Sequence, residues 1–269
     1  MKVRGKVVVV TGAGSGIGRA LALELRNRGA RIAAVDLRAE SLAETARLAA
    51  AGVTVSTHVL DITDREAVQA LPDQVIAAHE RVDAVVNVAG IIQPFVTIEE
   101  LDYPTIERVL DVNVMGTIHV VKACLPYLRA RPVAHLSNVS SMGGFLPVPG
   151  QVMYGASKAA VKLLTEGLYA ELRDTNVEVS VILPGAVETN ISTNSGVSIP
   201  GMEAAAEGTR MLKADQAARI MADGIEKGRL YIHVGRDSQL MSAAMRLYPK
   251  GATQLIQKQM KGLIEHRQP

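Results

Sequence analysis

Two stretches of this 269-residue chain carry residue types and spacings suited to chemistry. The first is Thr11-Gly12-Ala13-Gly14-Ser15-Gly16-Ile17-Gly18, directly after the apolar run Val7–Val10. Strict Gly-x-Gly-x-x-Gly is not met, because Ile stands at position 17; the spacing is Gly12, Gly16, Gly18. The physics survives the change. Glycines permit a tight turn and a close approach of the backbone to a pyrophosphate. A helix starting near Gly16 offers that anion free N–H groups and a positive dipole end. Asp36 closes the next apolar run, 18 residues after Gly18, where an acid accepts both hydroxyls of an adenosine ribose. The alternative is a plain glycine-rich turn between a strand and a helix. A carboxylate at position 36 repels a 2′-phosphate, which favours NAD over NADP. Arg38 acts in the opposite direction, and Leu37 between them brings no charge.

The second stretch is Tyr154-Gly155-Ala156-Ser157-Lys158. A helix puts its phenol and its ammonium on one face. The spacing alone is not diagnostic, since Tyr127 and Arg131, and Tyr169 and Arg173, repeat it as ordinary surface pairs. Context separates them. The apolar run Ala134–Val139 leads into Ser140-Ser141-Met142-Gly143, and Ser141 lies thirteen residues before Tyr154. Asn113 is a polar residue within the otherwise apolar stretch Val109–Val121. It is either a buried side chain satisfied locally or part of the same site. The six histidines and Cys124 show no metal-ligand spacing, so no metal is expected, and Cys124 reads as a buried inert thiol.

These residues need elements to position them. Candidate strands are Val7–Val10, Ile32–Asp36, Val53–Val59, Val82–Val88, Ala134–Val139, Val177–Leu183 and Leu230–Val234. They are apolar throughout rather than alternating, as strands buried on both faces of a parallel sheet are. Helical stretches lie between them: Ile17–Arg28, Ala39–Ala50, Arg65–His79, Tyr103–Leu128, Gln151–Arg173 and Ala214–Lys227. Strand–helix alternation predicts an α/β chain with a doubly wound parallel sheet (a Rossmann fold), a single domain over residues 1–269. Ligands of such sheets bind beyond the carboxyl ends of the strands, where both stretches fall.

Taken together, Thr11–Gly18, Asp36, Asp61, Asn87-Val88-Ala89-Gly90, Asn113, Ser140-Ser141, Tyr154 to Lys158 and Pro184-Gly185-Ala186-Val187-Glu188-Thr189 resemble the short-chain dehydrogenase/reductase family. The resemblance is close over about residues 5–190. It implies that Tyr154 is the general acid/base, Lys158 its activator, Ser141 the group that polarises the substrate oxygen, and Asn113 an anchor for a water relay. It implies a dinucleotide held by Gly12, Ser15, Gly16, Ile17 and Gly18 at the pyrophosphate, by Asp36 and Leu37 at the adenosine ribose, and by Asp61 and Ile62 at the adenine. Asn87, Ala89 and Gly90 would line the adenosine ribose side. Pro184, Gly185, Val187 and Thr189 would hold the nicotinamide end, beside Tyr154 and Lys158. One departure is Val88, where the family often has a second Asn.

The chemistry explains the residue types. Oxidising an alcohol carbon requires removal of the hydroxyl proton, and a free phenol with a pKa of about 10 is a poor base at neutral pH. Lowering it to about 7 takes about 4 kcal/mol. One ammonium at about 4 Å supplies that much at an effective dielectric of about 20. The oxidised nicotinamide ring adds a further positive charge, and a fixed Ser hydroxyl donates to the oxygen as charge develops.

Residues 190–213 are expected to form a substrate lid. Gln93, Phe95, Met142, Gly143, Val148 and Met153, with Ser141 and Tyr154, are expected to line a mostly apolar substrate site for an uncharged secondary alcohol or ketone. The tail 236–269 carries Arg236, Arg246, Lys250, Lys258, Lys261 and Arg267 against Asp237 and Glu265. Leu240, Ala244 and Leu247, then Ile256, Met260 and Leu263, follow helical spacing there and would pack on the body, on a sister subunit or on an anionic membrane surface. The family implies a homodimer or homotetramer through the helices Tyr103–Leu128 and Gln151–Arg173. Apolar residues are 48% of the chain and charged residues 21%, the usage of a folded globular domain. A net charge of +2 without basic blocks, and no Trp, point away from nucleic acid. Neither a bilayer-length apolar run nor a signal peptide is expected, which makes a cytoplasmic location the default.

Overall fold

The structure is a computed structural model and describes residues 1–49, 55–189, 191–197 and 211–265, with the backbone alone at 259 and 261–265. Seven strands form one sheet: β1 (Val7–Thr11), β2 (Arg31–Asp36), β3 (Val55–Val59), β4 (Ala84–Asn87), β5 (Ala134–Val139), β6 (Val177–Pro184) and β7 (Tyr231–Val234). Their order is β3-β2-β1-β4-β5-β6-β7, and every pairing is parallel. The order reverses at β1, whose neighbours are β2 and β4. The loops leaving β1 and β4 therefore diverge and open a crevice at the carboxyl edge.

The apolar strands are explained by two covered faces. Val8, Val10, Ile32, Ala34, Val86 and Ile182 pack with Leu21 and Leu25 of α1 (Gly16–Asn27) and with Met221 and Ile225 of a later helix, Ala214–Glu226. Val7, Val9, Ala33, Val35, Val85 and Leu136 pack on the other face with Val68 and Leu71 of α3 (Arg65–His79) and Val120, Cys124 and Leu128 of α5 (Thr117–Arg129). Alternate residues of each strand face opposite helical layers, and polar strand residues such as Asn87 and Asn138 are buried with hydrogen-bond partners. Cys124 is fully buried and burial pushes its thiol up to about 12, which makes it inert.

The remaining helices are α2 (Ala39–Leu48), α4 (Tyr103–Leu110), α6 (Val152–Glu171), α7 (Ile191–Asn194), α8 (Ala214–Glu226), α9 (Arg236–Leu247) and α10 (Pro249–Glu265). α4 and α5 are one continuous rod in which Asp111–Gly116 is a π-helical turn, a local widening that sequence periodicity does not reveal. Among the described residues this rod, Tyr103–Arg129, has the length and hydropathy of a bilayer span. Counting apolar runs misses it because Asp111 and Lys122 interrupt the sequence. It packs on β4, β5 and α3. Residues 53 and 54 of the expected third strand, and 190 and 198–210 of the expected lid, lie outside the described residues.

The tail is helical as expected, over Arg236–Leu247 and Pro249–Glu265. Leu240 and Leu247 are 66% and 85% exposed. α9 attaches instead through its first turn, where the buried Ser238 hydroxyl donates to the Leu183 carbonyl at 2.7 Å. The strand-end carbonyl of β6 is buried and needs a donor, which Ser238 supplies.

The amino-terminal edge is tied by Asp83, fully buried just before β4. It accepts from the Val7 amide at 2.9 Å, from Arg81 at 2.9 Å and from Arg131 at 2.9 Å. Burial pushes its carboxyl up, but the Val7 amide and the two guanidinium groups outweigh it and hold it below the ordinary 3.8. A depressed carboxyl contributes stability above the unfolded-state value and loses it as pH falls through the folded one. Asp83→Asn is thus expected to cost about 2–3 kcal/mol at neutral pH and to flatten the acid limb of stability, measured by urea unfolding across pH. Equal stability of the two proteins at pH 7 would refute this.

Candidate active site

A cleft of about 790 Å³ opens at the crevice between the loops after β1 and β4. Its floor is the glycine turn. Gly12 has φ +67°, and a Cβ there would lie 2.9 Å from the Cα and N of Ala89. A Cβ on Gly18 would overlap the Gly12 carbonyl. Both glycines are therefore required by contact, and Gly12 by its conformation as well. Thr11 ends β1 with its hydroxyl accepting from the Val88 amide at 3.0 Å and the Ala89 amide at 3.2 Å. This one side chain holds the two diverging loops together, and it is a residue that sequence reasoning passed over. The signal for it was a polar residue closing an all-valine strand.

Of the expected dinucleotide residues, Gly12, Ser15, Gly16, Ile17, Gly18, Asp36, Leu37, Asp61, Ile62, Ala89, Gly90, Pro184, Gly185, Val187 and Thr189 line this cleft, with Tyr154, Lys158 and Ser141. Asp36 accepts from the Gly14 amide at 2.9 Å and the Arg38 amide at 3.1 Å. Its carboxylate is thereby fixed at the mouth of the glycine turn. Arg38 also lines the cleft, and its guanidinium donates to Asn194 Oδ1 at 2.9 Å. Asn194 in turn donates to Ser15 Oγ at 2.8 Å. Nothing in the sequence pointed to Asn194. At the other end, the Ala186 amide donates to Asp237 at 2.7 Å, and a Cβ on Gly185 would overlap that carboxylate. The first turn of α9 thus holds the Pro184–Thr189 segment in place.

Asn87 is a correction. It does not line the cleft but is buried, donating to Asn138 at 2.8 Å, and Asn138 donates to Thr165 of α6 at 3.0 Å. Strand alternation turns it away from Val86's face and into the α6 layer. Asn113 lies in the π turn, fully buried. Its side chain accepts from the Ile91 amide at 2.8 Å and donates to the Ile91 carbonyl and to Ser157 Oγ, both at 2.9 Å. These bonds tie the Asn113 side chain to the loop after β4 and to α6.

Of the expected substrate residues, Ser141 and Tyr154 line the cleft. Ser141 lies against Tyr154, and a Cβ on Gly143 would sit 3.3 Å from the Tyr154 ring. Phe95, Met142, Val148 and Met153 do not line the cleft. Gln93 is fully buried, with its amide spent on α6: Oε1 accepts from Met153 and Tyr154 amides, and Nε2 donates to Gly150. An uncapped helix end draws it in, because free amides at a buried N-terminus need an acceptor.

Lys158 is 3% exposed. Its ammonium donates to the Val139 carbonyl at 3.1 Å and lies 6.0 Å from the Tyr154 ring centroid. The electrostatics differ from the simple ammonium-beside-phenol calculation. Burial pushes the Tyr154 phenol above its ordinary 10.0, while its hydrogen bond with Ser141 pulls it down. Burial lowers Lys158 to about 8. Two desolvated groups of opposite acidity share one wall, which is the usual condition of a proton-transfer site.

The family model described as short chain dehydrogenase matches residues 6–198. The chain belongs to the short-chain dehydrogenase/reductase family. The oxidoreductase SadH of Mycobacterium tuberculosis is 36% identical over 260 residues, 94% of each chain. A short-chain dehydrogenase/reductase from Burkholderia phymatum, crystallised with NAD, superposes with a TM-score of 0.80 at 30% identity, over 92% of this chain and 96% of that one. A short-chain dehydrogenase from Burkholderia cenocepacia, crystallised with NADP, also gives 0.80, at 25% identity over 95% and 99% of the two chains. Across this short-chain dehydrogenase/reductase the matched region takes in β1 to α7, and so the cleft from Gly12 to Asn194.

The buried amine has a cost that can be measured. The unfolded chain holds the Lys158 proton up to about 10.5 and the folded one only to about 8. Stability therefore rises with pH between those values, and below them the full cost of about 3 kcal/mol is carried. Lys158→Met is expected to raise Tm at pH 7 and to flatten that rise, read by thermal denaturation across pH. A lower Tm at pH 7 would contradict the sign.

Proposed function

We propose that this enzyme interconverts an uncharged secondary alcohol and its ketone with NAD, using Tyr154 as the acid–base group. The observation that carries the reading is the placement of Tyr154, Ser141 and Lys158 on one wall of the cleft whose far end holds Asp36. The residues fit a dinucleotide. Gly12, Gly16 and Gly18 line the cleft floor with bare backbone, and α1 presents its free amides there. Ser15 to Gly18 would take the pyrophosphate, Asp36 and Leu37 the adenosine ribose, Asp61 and Ile62 the adenine. Ala89 and Gly90 would line the adenosine ribose side, and Pro184, Gly185, Val187 and Thr189 would take the nicotinamide half. When bound, the dinucleotide supplies the two-electron acceptor or donor for the carbinol carbon.

This chain's own groups handle the proton. Ser141 donates to the substrate oxygen as it gains carbonyl character. Tyr154 removes the proton from that oxygen in oxidation and returns it in reduction. The Lys158 charge, in a dry site, favours the phenolate over the phenol. The end of the cleft around these groups is lined by Val139, Pro184, Ala186, Val187, Ile191 and Met211. Among the described lining residues there, Lys158 is the cation, and its amine faces a carbonyl rather than a substrate carboxylate. That supports an uncharged, fairly hydrophobic substrate.

NAD is favoured over NADP because the Asp36 carboxylate is held at the ribose end by two amides. Its charge opposes a 2′-phosphate. An NADPH-dependent reductase is the competing reading, and it rests on Arg38, whose guanidinium is engaged by Asn194. The family's solved members include proteins with either cofactor, so the local charge is what discriminates. A homodimer or homotetramer through the rod Tyr103–Arg129 and α6 is part of the same proposal. Tyr103, Met115, Val152 and Leu163 are exposed on those helices and would be covered.

Tyr154→Phe is expected to lower turnover by about 10²–10⁴-fold while NAD binding, followed by calorimetry, stays unchanged. Wild-type turnover in that variant would end the assignment. Asp36→Ala is expected to cut the preference for NAD over NADP, as a ratio of kcat/KM values, by about tenfold or more. An unchanged ratio would move the cofactor reading to Arg38.

A further inference from the structure

α6 carries both Tyr154 and Lys158, yet it begins without a cap of its own. Its N-cap residue Gln151 makes no side-chain bond to the first turn. The amides of the first turn of a helix have no partner within it, and a buried helix start must find one elsewhere. Here they find Gln93, sixty residues earlier in the chain. Gln93 Oε1 accepts from the Met153 amide at 2.8 Å and from the Tyr154 amide at 2.9 Å. Its Nε2 donates to the Gly150 carbonyl at 3.1 Å. The amide's orientation follows from its partners, since two donors face one end and a carbonyl faces the other. The Gln93 carbonyl accepts from Gln151 Nε2 at 2.8 Å, which closes the joint.

The segment that carries Gln93 is not a free loop. It continues from Ala89 and Gly90 in the cleft, and Ile91 is clamped through both its amide and its carbonyl by Asn113. The Tyr154 backbone is held from its other end as well, because its carbonyl accepts from Ser157 Oγ at 2.7 Å, and Ser157 is bonded to Asn113. Tyr154 is therefore bracketed, its amide by Gln93 and its carbonyl by Ser157.

We infer that Gln93 is a positioning residue for Tyr154: by capping α6 from the loop after β4, it sets the height of the phenol against Ser141. This rests on the functional reading above. Gln93 does not line the cleft, so it acts through the helix and not on a substrate. Sub-ångström placement of a reacting group carries a large share of rate. Loss of the cap lets the first turn relax, lengthens the bond from Tyr154 to Ser141, and removes the interaction that opposes burial on the phenol.

The test compares Gln93→Met, Gln93→Glu and wild type. Gln93→Met is expected to lower kcat by about tenfold or more, with KM for the alcohol and Kd for NAD within about twofold. It is also expected to move the ascending limb of the kcat–pH profile for alcohol oxidation upward by about half a pH unit or more. Gln93→Glu keeps an acceptor oxygen at a helix N-terminus, where a carboxylate is favoured, and is expected to restore most of the rate and the profile. A purely structural role would lower Tm in Gln93→Met while leaving the profile in place, and that result overturns the proposal. Gln93→Asn, one methylene shorter, carries the test if Gln93→Met does not fold, with the same upward shift expected and an unmoved profile counting against it.

A readout without turnover separates this claim from the enzyme assignment. Tyrosinate formation with NAD present is followed by ultraviolet difference titration, each protein against its Tyr154→Phe counterpart. If wild type and Tyr154→Phe are equally inactive on every alcohol, the functional reading fails and the titration alone decides. An upward shift of the Tyr154 titration in the Gln93 variants then upholds the positioning role, and an unmoved one removes it.

Discussion

The turn after β1 and the turn after β4 meet at a single point, where Gly12 lies against the backbone of Ala89 with no room for a side-chain carbon. Thr11 pins the same junction by accepting two amides from the β4 loop. The cleft depends on this contact. Two loops that diverge to opposite faces of a sheet leave a crevice, and the crevice keeps its width only if the loops are tied at the base. From that base the glycine turn runs one way to Asp36, and the β4 loop runs the other way through Gly90 to Ile91 and Gln93. Both halves of the site are thus built outward from one packing constraint.

The same logic holds at the acid–base wall. Burial would leave Tyr154 too weak an acid and Lys158 too weak a base-stabilising cation, since both are pushed toward their neutral forms. The structure answers with position rather than with a tight ion pair. Ser141 is fixed at a strand end and accepts from the Gly143 amide at 3.0 Å. Ser140 donates to the Lys158 carbonyl at 2.6 Å, and Lys158 donates to Val139. The end of β5 and the start of α6 are therefore stitched together on both sides of the reacting groups. The stability given up by burying an amine is recovered in the sheet beneath, where the central strands β1, β4 and β5 are buried along their length.

Most of the architecture was legible in the residues. Seven apolar runs alternating with amphipathic stretches lead to seven parallel strands and their helices, with ends displaced by a residue or two, because a strand buried on both faces has a local composition that nothing else produces. The residues read from the glycine turn, Asp36, Asp61 and the Pro184–Thr189 segment line one cleft. Less legible were the residues whose partners are far away in sequence. Gln93 looks like a substrate contact and is a helix cap; Asn87 looks like a cofactor contact and is a tie between β4 and β5. Leu240 and Leu247 follow helical spacing and are exposed in the single chain, while Asp237 and Ser238 anchor the first turn of that helix by polar bonds.

The sequence by itself determined the strand and helix order, the glycine turn after β1, and the titratable side chains gathered at the cleft. Each of these is a local property: periodicity, a backbone freedom that only glycine has, or the chemistry of one functional group. Tertiary structure alone decided how those groups are charged and held. The state of a buried phenol or amine depends on how much water is excluded and on which distant atoms donate to it, and the orientation of α6 depends on an amide supplied from sixty residues away. Such quantities arise from neighbours that folding brings together, and a string of residues carries no distance between them.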